Sequence, residues 1–189
     1  MKGENRKQEI IQTAAKLFTE KGYSAVTMRD LAKAMGIKAA SLYNHINSKQ
    51  DILKSIIISL AETFTNGMES IKASNDNSIE KLKKIVTLHV EITSQNAYGM
   101  ASLNNDWMHL EEQLDYYLKL RSDYEDDFRL IINRGIKTNE LHNVNAEVAL
   151  FSMLSTLRSL YLWLPKKEDI QKEQLTANLI EVLLDGINN

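Results

Sequence analysis

The sequence predicts an all-α protein, and three observations support that fold class. Apolar residues recur at spacings of three and four over most of the chain, which is the period of an amphipathic helix. The alternation of apolar and polar residues that marks a half-buried strand is missing. Proline, which interrupts helices, occurs once, at Pro165. We therefore expect a three-helix module followed by a larger helical module of about six helices.

The first three helices are marked by their start and stop residues. Gly22 is expected to end the first helix as a left-handed cap. Thr27 has the character of an N-cap for the second helix, and Gly36 ends that helix. A short third helix is predicted over 37–46, and a long helix follows over about 48–71.

Four further helices complete the prediction, and the third and fourth of them have two apolar faces. They are predicted over about 79–93, 106–137, 145–164 and 168–186, with a glycine-marked break at 97–99. A helix that is apolar nearly all round is buried on more than one side, here against its own core and against a partner chain. We therefore expect a homodimer through the helices 145–164 and 168–187, which together would form a four-helix bundle.

Composition excludes several classes of protein. The absence of cysteine rules out disulfide scaffolds, thiolate metal sites, iron–sulfur clusters and a cysteine nucleophile. The chain lacks an apolar run of about 20 residues and an N-terminal signal, so we expect a cytoplasmic protein without a membrane span. Four scattered histidines and the lack of catalytic motifs argue against an enzyme, a metal site or a cofactor.

Charge separates the chain into two parts. The formal net charge of −2 argues against a nucleic-acid partner when the chain is taken whole. Residues 1–54, however, contain ten Lys or Arg and five Asp or Glu, whereas residues 55–189 contain thirteen and twenty. A basic module of charge +5 thus precedes an acidic one of charge −7.

Two short helices joined by a glycine-containing turn are typical of a helix-turn-helix. Residues small enough to enter a major groove and polar enough to contact bases and phosphates are expected on the outer side of the third helix. We predict DNA contacts from this face and its surroundings. The predicted residues are Thr27, Arg29, Lys38, Ala39, Ser41, Tyr43, Asn44, His45 and Lys49.

Residues 7–54 resemble the DNA-binding domain of TetR-type transcriptional regulators. The resemblance rests on Ile11-Gln12-Thr13-Ala14-Ala15-Lys16-Leu17-Phe18, Gly22-Tyr23, Thr27, Leu31-Ala32, Gly36-Ile37, Leu42-Tyr43, His45 and Ser48-Lys49. It implies a DNA-binding head over residues 1–50 and, over residues 51–189, an all-α body that binds an effector and dimerises through its last two helices. It also implies phosphate contacts from Tyr43 and Lys49, although Tyr43 packing beneath the third helix and His45 capping it are alternatives.

Four positions depart from the usual pattern of that family. Lys38 stands where a serine cap is usual, Ala40 where glycine is common, Ile46 where an aromatic residue is usual, and Gln50 where glutamate is. None of them breaks the pattern of buried positions. Lys38 and Ala40 are expected near the DNA, so these two departures leave the base sequence of the operator undetermined.

The body carries candidate effector contacts on its apolar stripes. A charge interrupts two such stripes, at Arg121 and at Arg158, and an unpaired buried guanidinium is costly, so each needs an acid, water or an anionic ligand. His89 is either a core histidine or a ligand contact. The tentative ligand-binding set is His89, Trp107, Tyr117, Arg121, Tyr124, Phe128 and Arg158.

Scattered positions of the body look similar to TetR-type repressors of fatty-acid and aromatic-acid degradation that respond to acyl-CoA thioesters. These positions are the run 123–129, Gly135-Ile136, the run 161–165 and the run 185–187. We expect a homodimeric repressor that binds pseudo-palindromic double-stranded operator DNA with its heads about 34–36 Å, or a multiple of that distance, apart. A small hydrophobic or acyl-CoA-type ligand would release it. A TetR-type activator, or a helical adaptor that binds protein without reading DNA, are the alternatives.

Overall fold

The computed structural model describes residues 2–167 and 170–185, and side chains from residue 5 onward. Within these residues the regular structure is helical and includes no β-strand, which confirms the all-α fold class. The helices are α1 (Lys2–Lys21), α2 (Met28–Ala34), α3 (Ala39–Leu42), α4 (Lys49–Ala73), α5 (Ser78–Gln95), α6 (Ala97–Asn105), α7 (Leu114–Lys137), α8 (Ala146–Trp163) and α9 (Lys172–Leu184).

The chain divides into two compact units. Unit 1 comprises Met1–Ala61 and Tyr98–Tyr117, and unit 2 comprises Glu62–Ala97 and Leu118–Asn189. The segment that contains α6 therefore belongs to the same unit as the N-terminal helices. Helix α4 passes from unit 1 into unit 2, and so does α7. These bounds differ from the predicted domain boundary after residue 50, which stays a prediction.

The start of α2 follows the sequence prediction. The Thr27 side chain accepts a hydrogen bond from the Asp30 backbone N–H, while the Asp30 carboxylate accepts one from the Thr27 N–H at 2.9 Å. This reciprocal capping box satisfies two N–H groups that the helix leaves unpaired. Gly36 then turns the chain with a φ of 66°. Gly22 also has a positive φ, 82°, but its ψ of 142° lies outside the left-handed helical region.

The helix after Gly36 is shorter than predicted. Instead of a helix over 37–46, only Ala39–Leu42 is helical, and Tyr43 to His45 form a turn. The backbone N–H groups of His45 and Ile46 both donate to the Leu42 carbonyl, so the last turn tightens and stops. Leu42 and Ile46 are buried.

Two predicted boundaries in the middle of the chain are wrong. Gly99 lies inside α6 rather than in a break, because the interruption is at Asn96, the C-cap of α5. Residues 106–113 form two 3-10 turns instead of the first turns of a long helix. Glu111 has a positive φ of 48°, which a continuous α-helix excludes, so α7 begins at Leu114.

Helix α5 lies at the centre of unit 2, where it packs against α8 and α9. Its residues Ile85, Val86 and Val90 are fully buried. Helix α8 buries one face, represented by Leu157, and exposes apolar residues on the other. The two-sided character that the sequence predicts for α8 is therefore present in the structure.

One stretch among the described residues, Ala146–Lys166, is long and apolar enough to cross a membrane by length and composition alone. Only 33% of its most apolar window is buried. A single helix of this kind is weak evidence for a membrane span, since a helix that packs on both sides has the same composition. Asn145 caps the start of α8, and Pro165 lies in the 3-10 turn that ends it.

The described part of the last helix begins later than predicted. Gln171 is the N-cap of α9 and Ile170 is not helical, so the helix begins at Lys172 rather than near residue 168. Residues 168, 169 and 186–189, which include part of the predicted dimer helix, lie outside the described residues. Leu175 and Leu184 are buried, while Val182 is 75% exposed.

The turn at Gly36 gives a test of the head fold. A Cβ at this position meets nothing within 4 Å, so the cost of Gly36→Ala comes from the positive φ alone. We expect Gly36→Ala to lower the free energy of unfolding by about 1–2 kcal/mol, and Gly36→Asn by less, because asparagine tolerates this region. Urea denaturation of the three proteins measures the order, and equal stability of the glycine and alanine forms would contradict the turn conformation.

Candidate functional site

The segment Lys38 to His45 presents most of its side chains to solvent. Lys38, Ser41 and Asn44 are exposed, whereas Ala39 and His45 are half-buried. Tyr43 is 54% exposed, so it does not pack into the core beneath the helix. Leu42 and Ile46 hold the segment from the inside. The arrangement leaves a one-turn helix whose outer residues are available to a partner.

Two predicted DNA contacts lie at the start of α2, next to this segment in sequence. Arg29 and Thr27 are exposed. The Thr27 hydroxyl donates to the Asp30 carboxylate at 2.6 Å and accepts from the Asp30 N–H. The hydrogen bonds from Thr27 lower the pKa of the Asp30 carboxyl, because they stabilise its charged form. Thr27 therefore has a capping role, and its contact with DNA stays a prediction.

Lys49 makes internal bonds that the sequence did not predict. Its ammonium donates to the backbone carbonyls of Tyr23 and Val26, at 2.8 and 2.9 Å. It also lies 4.2 Å from the centre of the Tyr23 ring. An ammonium has three N–H bonds, so at most one remains for a phosphate. Lys49 on α4 therefore binds the backbone of the turn before α2. Its contact with a DNA phosphate stays a prediction.

Tyr23 is the centre of a cluster that sequence reasoning missed. Its hydroxyl donates to the Gln50 side-chain oxygen at 2.6 Å, and the Gln50 amide donates to the His109 carbonyl at 2.6 Å. The Tyr23 and His109 rings stack with centroids 5.2 Å apart. Burial raises the pKa of Tyr23, and the nearby carboxylates of Glu111 and Asp106 raise it further. Within unit 1, this cluster joins the head to the turn after α6.

Gln50 can fill this place because an amide both accepts and donates. An ionised glutamate, the residue usual in the resembling family, accepts only and could not donate to the His109 carbonyl. The departure at Gln50 was visible in the sequence. Its partner was not, since His109 lies 59 residues away along the chain.

His89 lies in the apolar core of unit 2. Its Nε2 is 2.9 Å from the Tyr124 hydroxyl, and the Phe64 ring packs against it with centroids 4.6 Å apart. Tyr124 in turn makes an edge contact with Phe128 at 6.5 Å. Burial and, to a smaller extent, the positive charge of Arg158 together lower the pKa of His89 to about 3. The imidazole is therefore neutral at pH 7.

Arg121 and Arg158, the two arginines predicted to contact the effector, form ion pairs with Glu125. Arg158 on α8 donates to the Glu125 carboxylate at 2.6 Å, and Arg121, one turn before Glu125 on α7, donates at 3.2 Å. Burial opposes ionisation of Glu125, but the hydrogen bonds and charges of Arg158 and then Arg121 outweigh it, so its pKa is lowered. Of the two predicted possibilities, the internal ion pair is present for each arginine.

The remaining predicted effector contacts lie in unit 1. The rings of Trp107 and Tyr117 stack with centroids 6.0 Å apart, and the Tyr117 hydroxyl donates to the Leu103 carbonyl at 3.3 Å. The tentative set therefore falls into two groups: these two aromatics in unit 1, and His89, Arg121, Tyr124, Phe128 and Arg158 in unit 2. Among the residues that the structure describes, no group of three or more His, Asp or Glu could hold a metal ion.

Thr93 is a second buried polar residue that sequence reasoning missed. It is fully buried one helical turn after His89, and its hydroxyl has no hydrogen-bond partner among the described residues. The signal was present in the sequence, because Thr93 continues the apolar stripe of α5 on which His89 lies.

The buried imidazole gives a test by pH. Its pKa of about 3 lies below the unfolded value of 6.5, so the unfolded chain binds a proton first and stability falls as the pH drops below 6.5. Between pH 7 and pH 5 we expect the free energy of unfolding of the wild type to fall by about 2 kcal/mol more than that of His89→Gln. Urea unfolding of both proteins at both pH values measures this difference. The other titrating groups contribute equally to the wild type and the variant, so their contributions cancel. Equal pH dependence would show that His89 is not held neutral by the fold.

Comparisons with known proteins agree with this arrangement. Residues 10–56 match the family model described as bacterial regulatory proteins of the tetR family. Residues 75–187, more than half of the chain, match the model described as the tetracyclin repressor-like C-terminal domain.

Individual relatives cover nearly the whole chain. The HTH-type transcriptional repressor KstR2 of Rhodococcus jostii is 25% identical over 185 residues, which are 96% of this chain and 91% of that one. The structure of the ketosteroid transcriptional regulator KstR2 of Mycobacterium tuberculosis has the same fold, with a TM-score of 0.90 at 20% identity over 97% of this chain and 95% of that one.

A second solved structure is that of the TetR-family regulator PfmR from Thermus thermophilus, with a TM-score of 0.81 at 28% identity over 95% of this chain and 99% of that one. The two family models together span the helix-turn-helix and the helical body described above. The chain belongs to the TetR family of DNA-binding transcriptional repressors.

Proposed function

We propose that this repressor contacts its operator with the exposed face of the segment 38–45, supported by residues at the start of α2. The observation that carries the proposal is the exposure of Lys38, Ser41, Tyr43 and Asn44 around a helix anchored by buried Leu42. Because a repressor of this kind acts on chromosomal DNA, we also propose a cytoplasmic location and a DNA-binding head over residues 1–50.

Charge supports the proposed contact. The head carries +5 and the rest of the chain −7, so attraction to phosphates is local, and the remainder of the chain is repelled by the same duplex. Lys38 is the N-cap residue of α3, and its side chain makes no capping hydrogen bond. It can therefore be changed with less effect on the fold than Lys49, whose ammonium holds two carbonyls.

Lys38→Ala tests the phosphate contact. We expect weaker binding to DNA fragments of all sequences and a slope of log affinity against log salt that is smaller by about 0.9, the contribution of one phosphate contact. Fluorescence anisotropy on the organism's own upstream DNA measures both quantities.

The matched control is Lys119→Ala, which removes the same charge from an exposed position in unit 2. It should leave the slope unchanged. If Lys38→Ala also leaves it unchanged, Lys38 does not contact a phosphate. If the wild type binds its upstream DNA no better than unrelated DNA, the proposed operator face is wrong.

TetR repressors form dimers, and we propose that this one does so through α8 and α9. Five large apolar side chains are exposed on these two helices: Val148, Phe151, Leu162 and Trp163 on α8, and Val182 on α9. A contiguous apolar surface on a folded chain usually marks an interface. A second copy of the chain covers both helices by two-fold symmetry, which also suits a pseudo-palindromic operator.

Val182→Lys tests the dimer face. A lysine at this 75% exposed position would bring an unpaired charge into the interface, so we expect the dimer to dissociate at a concentration about 100-fold higher. Leu130→Lys is the matched control, because Leu130 is 59% exposed on α7 of the same unit. Sedimentation velocity measures the assembly. A dimer that survives Val182→Lys but not Leu130→Lys would place the interface elsewhere.

We further propose that the effector is a small, largely apolar molecule that binds in the body and lowers operator affinity. The buried aromatic group around His89 and Tyr124 supports this proposal, since it combines apolar surface with polar atoms. The Mycobacterium tuberculosis regulator is named for a ketosteroid, a molecule of this kind. More specifically, we propose an acyl-CoA thioester as the effector. To bind its phosphate groups, Arg121 and Arg158 would have to release the Glu125 carboxylate.

A further inference from the structure

Besides Ser78 Oγ at its start, α5 has two polar atoms that are buried without a hydrogen-bond partner among the described residues: Nδ1 of His89 and Oγ1 of Thr93. The exposed fractions of these side chains are 3% and 0%. Residues four apart lie on the same face of a helix, so both belong to one side of α5. Burying a polar atom unpaired costs folding free energy, and such a cost at two adjacent positions indicates a binding role.

The hydrogen bond to Tyr124 determines which proton His89 carries. Burial raises the pKa of the Tyr124 phenol and lowers that of the His89 imidazole, so both groups are neutral. If Tyr124 donates its O–H to Nε2, the single imidazole proton lies on Nδ1. The opposite tautomer would leave the phenol O–H as a further unpaired donor. His89 therefore presents Nδ1–H as a donor.

The surroundings select against a charged partner. The Phe64 ring packs against His89, and Phe128 packs against Tyr124. His89 itself carries no charge to offset an anion, and Arg158 is already paired with Glu125 at 2.6 Å. An anionic group placed here would be a buried charge without a cation of its own.

We propose that the effector carries an uncharged carbonyl oxygen that accepts hydrogen bonds from His89 Nδ1–H and the Thr93 hydroxyl within the core of unit 2. This rests on the proposed effector-responsive function and specifies the ligand class. Ketones, esters and thioesters share this oxygen on an otherwise apolar body. Hydrocarbons lack it, and carboxylates replace it with a charge.

The test uses four probes with the full-length protein: 2-dodecanone, dodecane, dodecanoate and dodecanoyl-CoA. We expect 2-dodecanone to bind more tightly than dodecane or dodecanoate. With a 13C-labelled carbonyl, its infrared stretch should move to lower frequency on binding than in hexane, because the oxygen accepts hydrogen bonds.

Thr93→Val removes one donor and keeps the shape of the side chain. We expect ketone affinity to fall roughly fivefold, the effect of one hydrogen bond, and the infrared shift to become smaller. His89→Phe removes the other donor and should have a similar effect. The matched control is Thr87→Val on the same helix, whose hydroxyl donates to the Lys83 carbonyl and faces no orphan atom. It should leave ketone affinity unchanged.

Thermal stability separates binding from a structural role. Because the Thr93 hydroxyl has no protein partner, Thr93→Val should not lower the melting temperature, whereas a structural hydroxyl would lower stability and binding together. If dodecanoyl-CoA binds more tightly than the ketone and is equally sensitive to Thr93→Val, the carbonyl is that of a thioester, and the proposal holds.

Three results would overturn the proposal: no binding of 2-dodecanone, tighter binding of dodecanoate, or ketone affinity that neither variant changes. Release from operator DNA is measured in parallel. A ketone that releases the wild type and both variants equally would support the proposed function while excluding this carbonyl contact. Failure of the proposed function has a different signature, since the protein would then bind no operator in the absence of any probe.

Discussion

The chain of hydrogen bonds from Tyr23 through Gln50 to the His109 carbonyl is the interaction on which unit 1 depends. Each polar group in it is partly buried and each has a partner, so the segment 98–117 is held in one compact unit with helices that lie far from it in sequence. The Lys49 ammonium adds two backbone carbonyls of the turn before α2. These hydrogen bonds add to the apolar contacts that hold unit 1 together.

In unit 2, some buried polar groups have hydrogen-bond partners and others do not. Glu125 is satisfied by two arginines, whereas His89 and Thr93 keep one unpaired atom each. Most buried polar groups in natural proteins have hydrogen-bond partners, so the unpaired atoms of His89 and Thr93 on α5 need an explanation that Glu125 on α7 does not. The ion pair stabilises the contact between α7 and α8, and the unpaired donors are better explained by a molecule that binds there.

Local signals in the sequence were enough for much of the fold. The N-cap at Thr27, the end of the helix at Gly36 and the long helix α4 follow from residue types at fixed spacing. The predicted helix boundaries were wrong where contacts with residues distant in sequence determine the local conformation. Residues 106–113 have a helical pattern but form 3-10 turns, one of which carries the ring that stacks on Tyr23.

At the candidate sites, too, contacts between residues distant in sequence could not be predicted. The exposed face of 38–45 could be predicted because it depends on one short helix, while the partners of Lys49 and Arg158 come from elsewhere in the chain and could not. The spacing of Thr93 indicates that it is buried, but the lack of a hydrogen-bond partner for its hydroxyl depends on the surrounding residues and could not be predicted.

The single turn of α3 has a consequence for how such a repressor can diverge. Its geometry is imposed by the two buried anchors Leu42 and Ile46, and its outer residues contribute little to folding. Substitutions at exposed positions usually change stability by less than about 0.5 kcal/mol. Under the proposed operator contact, positions such as Ala40, Ser41 and Asn44 can vary almost independently of the rest of the protein, and gene duplicates would acquire new operators without first acquiring compensating mutations.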